Sequence, residues 1–183
     1  VLLGGATAML PIYARDILHV GSEGLGILRA APAVGAAVMA TALSWRPIEH
    51  NVGIKMLGGV AFYGLATIAF GLSRNFGLSV ACMMLMGVGD MISVYVRTSL
   101  VQLNTPDAVR GRVSAISGLA ISASNELGEM QSGLAAALLG ATGAVVFGGV
   151  GAIVVTLAWA WLFPELRNAR TFAPQYREME KER

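Results

Sequence analysis

The feature that most limits what this chain can become is a series of long runs with almost no charge. A helix rises about 1.5 Å per residue, so crossing a hydrocarbon layer of about 30 Å takes roughly 20 apolar residues. Residues 24–45, 56–72, 76–96, 113–139 and 144–163 all reach or approach that length. Val1 to Tyr13 is also apolar but too short to span alone, and reads as the remaining part of a further helix with Pro11 near its outer end. Only 13% of residues are charged and 55% are hydrophobic, with mean hydropathy +0.65; soluble domains carry about 25% charged residues. The expected fold is therefore an all-α membrane protein of six transmembrane helices, the first truncated, over residues 1–163, with a tail at 164–183. The bilayer is its first partner. Val1 opens the sequence without a basic leader or a small-residue cleavage site, so no signal peptide is expected, and the missing initiator methionine suggests a fragment.

The segments between the runs punctuate them. Trp45-Arg46, Ser73-Arg74-Asn75 and Trp159 with Trp161 mark borders where amphipathic rings and charges meet headgroups. Thr98 to Arg112 is the one connection long enough to hold its own structure. There Thr105-Pro106-Asp107 predicts a helix start at Pro106, from a cap, a first-turn proline and a first-turn acid. That helix is expected to lie at the interface before entering the membrane.

Lysine and arginine are divided unevenly. Arg46, Lys55, Arg97, Arg110, Arg112, Arg167, Arg170, Arg177, Lys181 and Arg183 fall on one side, Arg15 and Arg74 on the other, and Arg29 lies within a run. Positive residues are retained in the cytoplasm, so the C-terminal tail is expected inside the cell. The tail mixes both signs and reads as solvated, and nothing in the chain is directed at nucleic acid.

Charge inside the runs is sparse and costs several kcal/mol per group in lipid, about 2.5–3.5 on insertion scales. Arg29 lies in the second helix, Asp90 in the fourth, and Glu126 and Glu129 in the fifth, within SASNELGEMQSG. The third and sixth helices have none and are free to face lipid. At steps of three and four, Ser122, Asn125, Glu126, Glu129 and Ser132 share one helix face, while Ala120, Leu127, Leu134 and Leu138 share the other. Such a stripe belongs against protein or water. By helical rise it straddles the bilayer middle, where a binding site would sit.

Two carboxylates three residues apart in a low dielectric resist simultaneous ionisation, as a proton-coupling group requires. Arg29 could instead pair with one of them, and all three could form an ion and hydrogen-bond network that only fixes packing. Asp90 shares a face with Met83, Met86, Ser93 and Arg97. Either an inner gate made by an Asp90–Arg97 bridge or a plain helix-end pair accounts for it, and the methionines read more readily as filler than as a binding surface. Arg110-Gly111-Arg112 reads best as topology-setting charge that pairs with Asp107 or Glu49. Cys82 is the only cysteine, and His19 and His50 lie far apart in loops, so no metal or cofactor is expected. A membrane enzyme using the paired acids is disfavoured, since no serine–histidine or metal constellation accompanies them.

The run GGATAMLPIYARDILHVGSEGLGILRAAPAVGA, the segment NTPDAVRGRVSAI, and SNELGEMQSG followed by WAWLFPELR resemble the C-terminal six-helix half of a major facilitator superfamily transporter, in the branch of enterobactin-type and drug exporters. The resemblance covers nearly the whole chain. It implies half of a twelve-helix fold, each half built from two inverted three-helix repeats, with the first, second, fourth and fifth helices lining a central cavity. It implies a non-enzymatic role in the bacterial inner membrane, exporting a small molecule against protons in concert with an N-terminal half. On that reading Arg29, Asp90, Asn125, Glu126 and Glu129 form the substrate or proton pathway, and Arg46, Arg97, Asp107, Arg110 and Arg112 form a cytoplasmic gate. The Arg46–Lys55 loop resembles the superfamily's gating loop but lacks its Asp-Arg core. A six-helix scaffold that binds a partner without transporting is the competing reading.

Overall fold

The computed structural model describes residue 7 and residues 9–48 and 50–162. The expected tail at 164–183, with its five basic residues, and Glu49 therefore lie outside the described residues. The described chain forms α1 (Leu10–Ile12), which runs directly into a π-helical turn (Tyr13–Ile17), then α2 (Ser22–Trp45), α3 (Val52–Leu72), α4 (Phe76–Asn104) and α5 (Asp107–Leu162). Four of these, α2 to α5, are long and apolar enough to cross a membrane.

Two expectations about boundaries change. The long fourth connection is absent, because α4 continues through Arg97 to Asn104 and only Thr105 and Pro106 separate it from α5. No separate interfacial helix precedes the fifth span either. The residues from Asp107 to Arg112 are its first turns, since neither Gly111 nor Arg112 interrupts a helix that Asp107 favours electrostatically at its start. The fifth and sixth expected helices also join into one run of 56 residues, interrupted at Gly140, whose φ of 74° is a left-handed backbone that a side chain would strain.

That break divides α5 into two arms that meet different neighbours. Ala136 and Ala141 pack on a core of Tyr13, Phe70, Cys82, Met83, Met86 and Val145, so the first arm runs from the Asn104 end of the bundle to the Tyr13 end. In the second arm Val145 and Val146 lie against Gly71, and Gly149, Ala152 and Ile153 against Gly64. The second arm therefore returns alongside α3, antiparallel to it.

Small residues set these contacts. Lipid tails supply no hydrophobic drive between helices, so close backbone approach must hold them together. A side chain at Gly35 would run into the Met84 carbonyl, and one at Gly87 into the Pro32 carbonyl, where α2 crosses α4. A methyl group on Gly64 would come 2.9 Å from the Gly149 carbonyl, and one on Gly149 2.8 Å from that of Gly64.

The two ends are closed differently. At one, Tyr13 is fully buried, stacks 4.7 Å from Phe70 and donates to the Gly71 carbonyl at 2.8 Å. Asn75 caps α4 by accepting from the Leu78 N–H at 3.2 Å. At the other, Ile48 folds back with Val52 onto Leu43 and Val96. Trp45 and Trp161, each 82% exposed, stand at helix ends, as interfacial tryptophans do.

Candidate functional site

Between the two closed ends lies a cavity of about 480 Å³. Its wall comes from four helices and from Thr7, and helical spacing explains each contribution. Pro32, Ala33 and Ala36 come from one face of α2; Met86, Asp90, Val94 and Arg97 recur at steps of three and four on α4; Ile121, Asn125 and Glu129 recur at steps of four on the first arm of α5. Asp90 is the midpoint of Phe76–Asn104, about 21 Å from either end by helical rise, within a run where charge is costly in lipid. A second cavity of about 380 Å³ adjoins it, lined by Thr7, Leu10, Arg29 and Glu129. Thr7 and Glu129 belong to both walls.

The charges in these walls are gathered but not paired. Among the described residues the ion pairs within 4.0 Å are Arg15–Asp16 and Arg110–Asp107. Arg29 and Glu129 thus share a cavity without touching. Asp90 and Arg97 likewise face one cavity, yet the bridge expected between them is absent. The reason is spacing: seven residues along one helix put the two groups about 10 Å apart in rise, too far for a direct contact.

Of the ten residues singled out from the sequence, five line this pair of cavities: Arg29, Asp90, Arg97, Asn125 and Glu129. Glu126 is exposed and lines neither wall, because three residues turn it about 60° away from Glu129 around the helix axis. Arg46 and Arg112 are exposed and outside both walls. Asp107 and Arg110 form an ion pair at 2.6 Å, and the Arg110 guanidinium also donates to the Thr105 carbonyl at 3.3 Å. They clip the sharp α4–α5 corner, the local pairing that RGR suggested.

Sequence reasoning missed Tyr63. The run 56–72 carries no charge and is free to face lipid by sequence, but α3 is held between α4 and the second arm of α5, and its Tyr63 reaches the larger cavity. The available signal was the row Gly59, Tyr63, Ala66 and Phe70, one buried edge along an otherwise apolar helix. Met86 and Met83 are both core, and Met86 also borders the cavity. No group of three or more His, Cys, Asp or Glu among the described residues is arranged to hold a metal ion.

A family model described as transmembrane secretion effector matches residues 4–180. Among curated proteins, an enterobactin exporter of Citrobacter koseri is 33% identical over 94% of this chain and 43% of its own length. Those of Shigella flexneri and Escherichia coli O1:K1 are each 30% identical over 95% of this chain and 44% and 43% of their own lengths. The chain thus spans less than half the length of the curated relatives it matches. No solved structure gives a significant match.

Proposed function

The chain belongs to the transmembrane secretion effector family of the major facilitator superfamily, and from that premise we propose that it supplies one half of a secondary transporter exporting a small molecule, such as a siderophore or drug-like compound, across the bacterial inner membrane. Its partner on this reading is an N-terminal six-helix half, which accounts for the fraction of the relatives that the chain covers. Alternating access then proceeds by rocking of the two halves about a midplane site. The C-terminus faces the cytoplasm on the lysine and arginine count.

The observation that carries the proposal is the paired cavity. Four charged groups from three helices face it without neutralising one another, Asp90 at the middle of its helix and Arg29 and Arg97 nearer helix ends, an apt arrangement for a water-accessible path. Glu129, common to both walls, is the coupling carboxylate; Glu126, one turn away, faces the central cleft when the other half is present. Arg29 sets the field around Glu129, Asp90 and Asn125 contact cargo, and Arg97 guards the end nearest the basic connections. Arg46, Asp107, Arg110 and Arg112 act at the cytoplasmic rim.

The test is export of enterobactin by the full-length protein carrying Glu126→Gln and Glu129→Gln. Loss of the proton-driven component at normal protein level supports the assignment, whereas unchanged pH-dependent export defeats it.

A further inference from the structure

The smaller cavity holds an unresolved electrostatic situation. A guanidinium, which can only donate, and a carboxylate, which when ionised can only accept, line one space of about 380 Å³ from opposite helices and do not meet. Both side chains are exposed to this space, so each stays available to a charged partner that enters it. A molecule with a single positive charge would satisfy Glu129 and leave Arg29 alone. One with a single negative charge would do the reverse. Only a ligand carrying both signs closer together than the two side chains serves both at once.

The adjoining wall describes the rest of such a ligand. Ile121 and Pro32 offer apolar surface there, with the buried Tyr63 and Met86 forming the floor behind them, suited to a flat or apolar body. Because Thr7 and Glu129 border both spaces, a body lying in the larger cavity can place its polar head in the smaller one.

We propose that the paired cavity is a site for a dipolar amphiphile whose anionic group docks on Arg29, whose ammonium or strong donor docks on Glu129, and whose aromatic or apolar body lies against Ile121 and Pro32. This rests on the transporter reading above and refines its cargo: a zwitterionic head with an apolar body, rather than a lipophilic cation or a simple organic anion.

Three probes of one shape separate the cases: phenylalanine, phenethylamine and 3-phenylpropionate, which carry both charges, the positive one, or the negative one. Their binding is measured calorimetrically on the full-length protein in nanodiscs, with enterobactin export by the same protein measured in parallel. The wild type is expected to bind phenylalanine about tenfold or more tightly than either other compound, the discrimination that one charge-assisted contact provides. Arg29→Gln should erase the preference over phenethylamine, and Glu129→Gln the preference over 3-phenylpropionate, whereas Arg29→Lys keeps both. Equal binding of a singly charged probe by the wild type, absence of binding by all three, or a preference that survives both neutral variants overturns the proposal. The wild-type series needs no variant to fold. Export that persists alongside any of these results leaves the transporter reading standing and removes only the dipolar cargo.

Discussion

The crossing of α2 with α4 and the passage of the first arm of α5 past the cavity use the same kind of helix in opposite ways. At the crossing, Gly35 and Gly87 let backbones touch the carbonyls of Met84 and Pro32, and the neighbouring Leu28 and Met83 are fully buried. Along the first arm, Gly111, Gly118 and Gly133 have nothing within 4 Å of where a side chain would begin, and Leu119, Leu134 and Leu138 are 73%, 62% and 84% exposed. Glycine is therefore structural where two backbones meet and incidental where a helix faces a cavity or an open side. The difference locates rigidity in α2, α3, α4 and the second arm, and leaves the polar stripe on the least enclosed element.

The comparison breaks most visibly at the crossing. Gly87→Leu, which forces a side chain into the Pro32 carbonyl, is expected to destabilise the bundle by about 3 kcal/mol and to abolish most folded protein, read by size-exclusion profile and thermal unfolding in detergent. Unchanged unfolding would mean that the two helices do not meet there. On the arm, Glu129→Gln is expected to leave the unfolding temperature within a degree or two while lowering export about tenfold, a loss near 1.4 kcal/mol in the rate-limiting step. Glu126→Gln alone, outside both walls, is expected to cost less; an equal or greater loss would move the coupling group one turn along the arm.

Smaller effects sharpen the contrast. Tyr13→Phe removes the hydrogen bond to the Gly71 carbonyl but keeps the stack on Phe70, so stability should fall by about 1 kcal/mol, seen as a drop of a few degrees in thermal unfolding. Gly133→Ala adds a methyl to open space on a helix and should be neutral or stabilising by about 0.5 kcal/mol, with export unchanged. A large loss from Gly133→Ala would show that this side of the arm is tightly covered in the assembled protein.

Much of the candidate site was legible before any fold was known. Asp90, Asn125 and Glu129 stood out because each is a polar group in a charge-poor run, and that cost is local and sequence-visible. Arg29 was legible for the same reason, although the sequence left open whether it would pair with one of the two glutamates. Tyr63 was not legible, because a tyrosine in an apolar helix carries no energetic alarm until its neighbours are known. The Asp90–Arg97 bridge looked reasonable on a helical wheel and fails on rise, since sharing a face does not bring side chains two turns apart into contact.

What the sequence determined alone was the number of residues that must be helical and apolar. Bilayer thickness and the need to satisfy every backbone hydrogen bond act on each segment independently of the others. Which helices touch, where α5 breaks and returns, and which charges share one cavity were decided by tertiary structure. Those outcomes depend on backbones approaching through glycines at Gly35, Gly64, Gly87 and Gly149, and many other glycines in the chain look identical until a neighbouring helix is present to meet them.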